Sequence, residues 1–291
     1  MTLNTLLAQK GRSAIAYDFT GQPGKSIVLN CYVSEGYAPG KPVVFVQHGM
    51  MRNGNDYRDF WIRAADQHGL LIVAPTFPNA DFPESEGYNN GVVLDAEGQV
   101  TPKDSWIYSV PGRVAEELVS LGLATAGALR IYGHSAGGQF LHRMVSLVGK
   151  GPFTSVIAAN AGWYSLPTLE ADFPAGLGGI GIDEDGLKAL LASDLWIMAG
   201  VEDAAATADN LPTNPEAIAQ GPGRFARAQN YMAKGRAAAE ALGCAFNWQY
   251  TEVPGVAHDG CAMSQAAAGM WFEGGLPSAE VLGAGSNTVN A

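Results

Sequence analysis

Basic side chains are scarce: 17 Lys and Arg face 28 Asp and Glu, a formal net charge of −11. A chain so poor in cations lacks the positive stripe that a phosphate backbone requires. Nucleic acid is thereby excluded as a partner, and polyanions are repelled at long range. Cysteine is limited to Cys31, Cys244 and Cys261, an odd number without the paired spacing of a metal site. That usage predicts free thiols and a cytoplasmic protein, with a Cys244–Cys261 disulfide left open because both lie in one C-terminal segment. No apolar run reaches the roughly 18 residues that a membrane span needs. Residues 1–20 also lack the basic start and continuous apolar block of a secretion signal.

Apolar residues are plentiful, at 47%, with 6 Trp, 10 Tyr and 11 Phe. They are enough for a large core, so the chain is not disordered. The 37 glycines follow no three-residue period, which excludes a collagen-like fibre.

Short apolar runs alternate with helical patterns, as strand–helix units around a parallel sheet require. Strands are predicted at Ser26–Val33, Pro42–Gln47, Leu70–Ala74, Ala128–Tyr132, Ser155–Ala159, Leu195–Ala199 and Phe246–Val253. Asp56 is read as the cap of a helix that ends at Gly69. A helix around Val114, Leu118 and Leu121 ends at Gly122, and another follows Gly137 to Gly149. A further helix at Phe225–Leu242 is read with its Arg and Lys outward. Three stretches (79–104, 165–193 and 204–223) resist this scheme, and long loops in a compact domain are usually functional. One domain is expected, with a core of about 26–270 and a loose tail at 274–291.

The strand ALRIY runs straight into Gly133-His134-Ser135-Ala136-Gly137. Gly-x-Ser-x-Gly alone is a weak signal. Between a buried strand and an apolar-periodic helix it becomes a nucleophile elbow, where glycines two residues either side keep the sharp turn free of side chains. A serine hydroxyl needs a base to take its proton. Of the five histidines, His48 and His68 precede the serine, His134 faces away within the motif and His142 lies along the following helix. His258, in a loop after the last strand, remains. The base needs a carboxylate to fix its tautomer. Asp203 is chosen because Gly200-Val201-Glu202-Asp203 follows the strand LWIMA; Glu202 and Asp209 stay open as alternatives.

Charge developing on an acyl oxygen calls for backbone donors. The N–H of Ala136 opens a helix, and the N–H of Met50 lies in the turn His48-Gly49-Met50-Met51. Met51, Trp163 and Tyr164 are the candidate substrate-binding side chains, the last two because they follow a strand end. Gly176–Gly181 imitates a dinucleotide loop, but no strand precedes it. Nothing in the sequence requires a cofactor or a metal.

The elbow, the chain order Ser135, Asp203, His258 and the His48-Gly49 turn together resemble the α/β-hydrolase superfamily. Within it, the layout is similar to the polyhydroxyalkanoate-depolymerase and feruloyl-esterase group of carboxylesterases. The resemblance implies an α/β fold with a mostly parallel central sheet and helices on both faces. It also implies an ester hydrolase working through an acyl-enzyme. The same parts cleave amides, so a peptidase or amidase is the nearest alternative, and a non-catalytic ligand-binding protein is one of another class. The expected substrate is a small or oligomeric ester, neutral or cationic rather than polyanionic.

Overall fold

In the computed structural model, which describes residues 2–208 and 210–283, the strands form one sheet. They are β1 (Gly11–Asp18), β2 (Ser26–Val33), β3 (Val43–Gln47), β4 (Leu71–Thr76), β5 (Leu129–His134), β6 (Ser155–Ala159), β7 (Leu195–Gly200) and β8 (Gln249–Val253). Their spatial order is β1-β2-β4-β3-β5-β6-β7-β8. β2 pairs antiparallel with both β1 and β4, and every other pairing is parallel.

The period-2 side-chain alternation of a strand explains why helices cover both faces. In β3, Val43 and Phe45 enter one core while Val44 and Val46 enter the other. The first core is closed by α4 (Val110–Ser120), α5 (Ala136–Val148), α6 (Glu184–Leu191) and α8 (Arg224–Leu242). The second is closed by α1 (Gly54–Asp59), α2 (Ile62–His68), α9 (Gly260–Phe272) and α10 (Ala279–Gly283). Two short helices, α3 (Glu84–Gly87) and α7 (Pro215–Gln220), lie in the long excursions. The largest side chains dominate this burial: Trp61, Trp106 and Tyr132 are fully enclosed. Each aliphatic side chain buried in full is worth roughly 1.5–3 kcal/mol.

Several details depart from the sequence reading. Asp56 lies inside α1, whose N-cap is Asn53. Arg227, within the helix read with its basic side chains outward, points inward and is buried, as is Arg224 at the start of α8, because carbonyls and a carboxylate await them there. The last strand begins at Gln249, since Phe246 and Trp248 instead pack against Gly235 of α8. β1 and α9 had no sequence assignment. The part of the tail at 279–283 forms α10 and buries Leu282; residues 284–291 lie outside the described ones. All three cysteines are free. Among the described residues, no helix is long and apolar enough to cross a membrane.

Candidate active site

Parallel strands bring their carboxyl ends to one edge, and the predicted residues converge there. β5 leads into Ser135, which has φ 58° and ψ −118°. A non-glycine residue in that region costs on the order of 1–3 kcal/mol and persists only where its surroundings impose it. Here they do. The Ser135 N–H donates to the Ala159 carbonyl (3.0 Å), and α5 starts immediately afterwards. A Cβ on Gly133 would strike the Gly137 carbonyl, and one on Gly137 would strike the carbonyls of Gln47 and His48. Backbone therefore packs on backbone around the turn, which only glycine permits.

Asp203 follows β7 and is 4% exposed. His258 lies between β8 and α9. Its Nδ1 donates to Asp203 Oδ2 (2.6 Å), which leaves Nε2 to accept from the Ser135 hydroxyl (3.0 Å). Glu202 is held by its N–H on the Val256 carbonyl and is not part of this chain of bonds. Asp209 lies outside the described residues.

No protein-family model matches the chain, and no curated protein does. Among solved structures, the poly(3-hydroxybutyrate) depolymerase LpqC from Bordetella parapertussis is 48% identical, with a TM-score of 0.92 over 96% of this chain and 96% of that one. Poly(aspartic acid) hydrolase-1 from Sphingomonas sp. KT-1 is 35% identical, with a TM-score of 0.85 over 89% of this chain and 98% of that one. This chain belongs to the α/β-hydrolase superfamily of serine hydrolases. An S-formylglutathione hydrolase from Agrobacterium tumefaciens, 17% identical with a TM-score of 0.57 over 91% of this chain and 95% of that one, shares the fold.

In this α/β-hydrolase, the turn after β3 lies against the nucleophile: a Cβ on Gly49 would be 3.8 Å from the Ser135 Cβ. His48 anchors the turn. Its Nδ1 donates to the Gly49 carbonyl (2.8 Å) and its Nε2 accepts from the Phe77 N–H (3.1 Å). Burial pushes His48 down to about 3, so the ring is neutral and can play both parts. Tyr88 stacks on it at 4.4 Å and donates to its carbonyl (2.8 Å). As the first residue of α5, Ala136 has an N–H without an intrahelical partner. The Met50 side chain is 55% exposed and that of Met51 79%.

The sequence reading missed four residues that support this chain of bonds. His134, read as facing away, lies beside His258 with ring centroids 4.6 Å apart. Its Nδ1 accepts from the Tyr57 hydroxyl (2.9 Å), and Tyr57 in turn is hydrogen-bonded to the Gly49 backbone. Burial holds His134 far below its ordinary value, and the neighbouring His258 adds to the effect. Asn160 is 2% exposed; its Oδ1 accepts from the Gly200 N–H (2.7 Å) and its Nδ2 donates to the Ala257 carbonyl (3.0 Å). It thus pins the end of β7, near Asp203, to the residue before His258. Arg224 lies 3.4 Å from Asp203 Oδ1 and donates to the Asn210 carbonyl and side chain (2.9 and 2.7 Å). Burial lowers the Arg224 guanidinium, and the Asp203 charge opposes that. A polar residue directly after the strand SVIAA was the available signal for Asn160. The other three carry none.

Trp163, 9% exposed, lines a cavity of about 600 Å³. Tyr164 does not reach it. Its ring is fully buried, 5.0 Å from His142 and 4.4 Å from Tyr231, and Gln220 bonds both its backbone N–H and carbonyl. The next residue after a strand end turned inward, and the substrate-binding reading of Tyr164 gives way to core packing. Among the described residues, no group of three or more His, Cys, Asp or Glu side chains could hold a metal ion.

Proposed function

We propose that this serine hydrolase cleaves carboxylic esters through an acyl-enzyme intermediate. Ser135 attacks the carbonyl carbon as His258 takes the hydroxyl proton. Asp203 holds the Nδ1–H tautomer and stabilises the imidazolium that forms. The N–H groups of Ala136 and Met50 receive the developing oxyanion. His258 then protonates the departing alcohol, and a water activated by the same imidazole releases the acid. The observation that carries this reading is the unbroken Ser135–His258–Asp203 hydrogen-bond chain on a strained serine. The strain itself argues for chemistry, since a binding module has no use for it.

The cavity beside Trp163 bears Glu86, Asp172 and Glu216 at its rim. With a net charge of −11, these carboxylates favour neutral or cationic substrates. Met51, two residues after Gly49 in the turn beside Ser135, is proposed to flank the acyl group. Three unpaired thiols fit a reducing compartment. Amide cleavage is the second reading, supported by the 35% identity to a protein named for hydrolysing poly(aspartic acid), a chain of amide bonds. A fluorophosphonate probe separates enzyme from non-enzyme: labelling lost in Ser135→Ala is expected, and absence of labelling in folded protein refutes both readings. Release of p-nitrophenol from short esters, with no cleavage of matched anilides, then selects the esterase.

A further inference from the structure

Arg143 of α5 is fully buried, yet every acceptor it has is neutral. Its Nε donates to Ser165 Oγ (3.0 Å), and its Nη1 donates to the Asn89 carbonyl (3.2 Å), Asn90 Oδ1 (2.9 Å) and Gln139 Oε1 (3.3 Å). Asn89 Nδ2 also donates to Gln139 Oε1 (3.2 Å). A guanidinium has donors only, so it dictates which end of each carboxamide faces it. Both oxygens point at Arg143, and both NH2 groups are turned away from it.

Asn90 and Gln139 are 8% and 7% exposed, and both line the cavity of about 600 Å³ that Trp163 also walls. Neither NH2 group makes a hydrogen bond among the described residues. Two oriented donors that face a half-open cavity without a protein partner are available to an acceptor on a bound substrate. The cavity is close to the chemistry: the Gln139 N–H bonds the Ser135 carbonyl (3.0 Å), one helical turn away, a rise of roughly 6 Å. The Trp163 ring lies over Arg143 at 5.3 Å and offers an apolar wall.

We propose that Asn90 and Gln139, oriented by Arg143, form a subsite for a second carbonyl group of the substrate, a few bonds from the scissile ester. Arg143 is the positioning residue. The rim carboxylates Glu86, Asp172 and Glu216 exclude a free carboxylate from the same place, so the subsite accepts a neutral ester or amide carbonyl. This assignment rests on the ester-hydrolase reading and specifies the substrate class of that same site.

The test compares two p-nitrophenyl esters of equal length, one of an acyloxy acid with a second carbonyl, the other with a methylene there. Gln139→Glu and Asn90→Asp keep the acceptor that Arg143 needs and remove the N–H donor, while Gln139→Met removes polarity without adding charge. The ratio of kcat/KM for the two esters is expected to fall roughly tenfold in each variant, mainly through KM, the worth of one hydrogen bond. A ratio within twofold of wild type in all three overturns the proposal, because a role confined to cradling Arg143 would leave it unmoved. Calorimetric titration of both esters into Ser135→Ala reads the subsite without turnover. Tighter binding of the two-carbonyl ester, abolished by adding Gln139→Glu, supports the proposal even if neither ester is hydrolysed, which would refute the hydrolase reading alone. Equal binding of the two esters overturns it.

Discussion

Asn160 offers the sharpest test of how the fold places its chemistry, because it touches no reacting atom. Its side chain bonds the Gly200 N–H at 2.7 Å and the Ala257 carbonyl at 3.0 Å, and it is 2% exposed. Removing it by Asn160→Ala leaves two backbone groups buried without partners, at about 1–3 kcal/mol each. The residue also has φ 43°, a left-handed conformation that asparagine tolerates and alanine resists by about 1 kcal/mol more. The expected loss is therefore about 3–7 kcal/mol, a large part of a typical domain stability of about 5–15. Asn160→Gly removes both bonds but relieves the backbone, so it should be about 1 kcal/mol the milder. Catalysis responds separately. With Ala257 released, the 2.6 Å bond between His258 and Asp203 loses its anchor, and a displacement of about 1 Å costs roughly 100-fold in kcat. KM should move little, since nothing in the substrate cavity has changed. Urea unfolding and p-nitrophenyl acetate turnover, measured on the folded fraction at 20 °C below the melting midpoint, check the two parts. Unfolding cost without loss of kcat would refute the placement argument, as would wild-type kcat in Asn160→Asp, because aspartate restores the bond to Gly200 but not the one to Ala257.

Two glycine substitutions should move stability in opposite directions. Gly137→Ala drives a Cβ into the Gln47 and His48 carbonyls and should lower thermal stability by about 1–3 kcal/mol, whereas Gly112→Ala in α4 meets only Pro152 Cδ at 3.5 Å and should gain about 0.5–1. Tyr57→Phe leaves the buried His134 Nδ1 and the Gly49 backbone unpaired, and kcat should fall roughly tenfold with little change in KM. Acid should destabilise the fold early. Burial depresses His48 to about 3 and His134 and His142 well below their ordinary value. An unfolded histidine titrates near 6.5. Below that pH the unfolded chain binds protons that the native state refuses, so stability is complete above about 6.5 and is lost as pH falls towards the native values. Each such histidine adds up to about 1.4 kcal/mol per pH unit to the slope. Urea midpoints between pH 7 and 5 should show it, and His142→Gln should flatten the slope by about a third; an unchanged slope refutes the assignment.

What the sequence made legible was local. β3, β5, β6 and β7 are short runs of apolar, often β-branched residues buried on both faces, so periodicity alone located them. The elbow was legible because glycine, serine and a strand end must coincide within five residues. Asp203 could be chosen because it closely follows a strand and His258 because the other histidines were eliminated, and the parallel sheet carries both to the same edge as Ser135. β1 was missed because it is an edge strand whose residues are exposed or half-buried, with only Ile15 deeply buried, so it lacks the apolar signature. α9 was missed because its surface is apolar nearly all round, GCAMSQAAAGMWF, and shows no helical stripe.

The cavity was illegible for a different reason. Asn90 meets Arg143 across 53 residues and Arg143 meets Ser165 across 22. Neither pairing leaves a period or a motif, because a buried arginine bonded through Nε and Nη1 to neutral acceptors is an outcome of folding rather than a pattern along the chain. The same holds for Arg224, which lies just before the helix read from the sequence and had no assignment there. It is turned inward by the Asp203 carboxylate and the Asn210 side chain. Both arginines sit where a long loop meets the catalytic edge, and each costs desolvation that an apolar residue would not. Charge is retained there because it orients its neighbours: Asp203 in one case, a pair of carboxamides in the other. An Arg224→Met variant should therefore keep most of its stability while losing turnover, whereas a variant that keeps turnover would show that Arg224 serves packing alone.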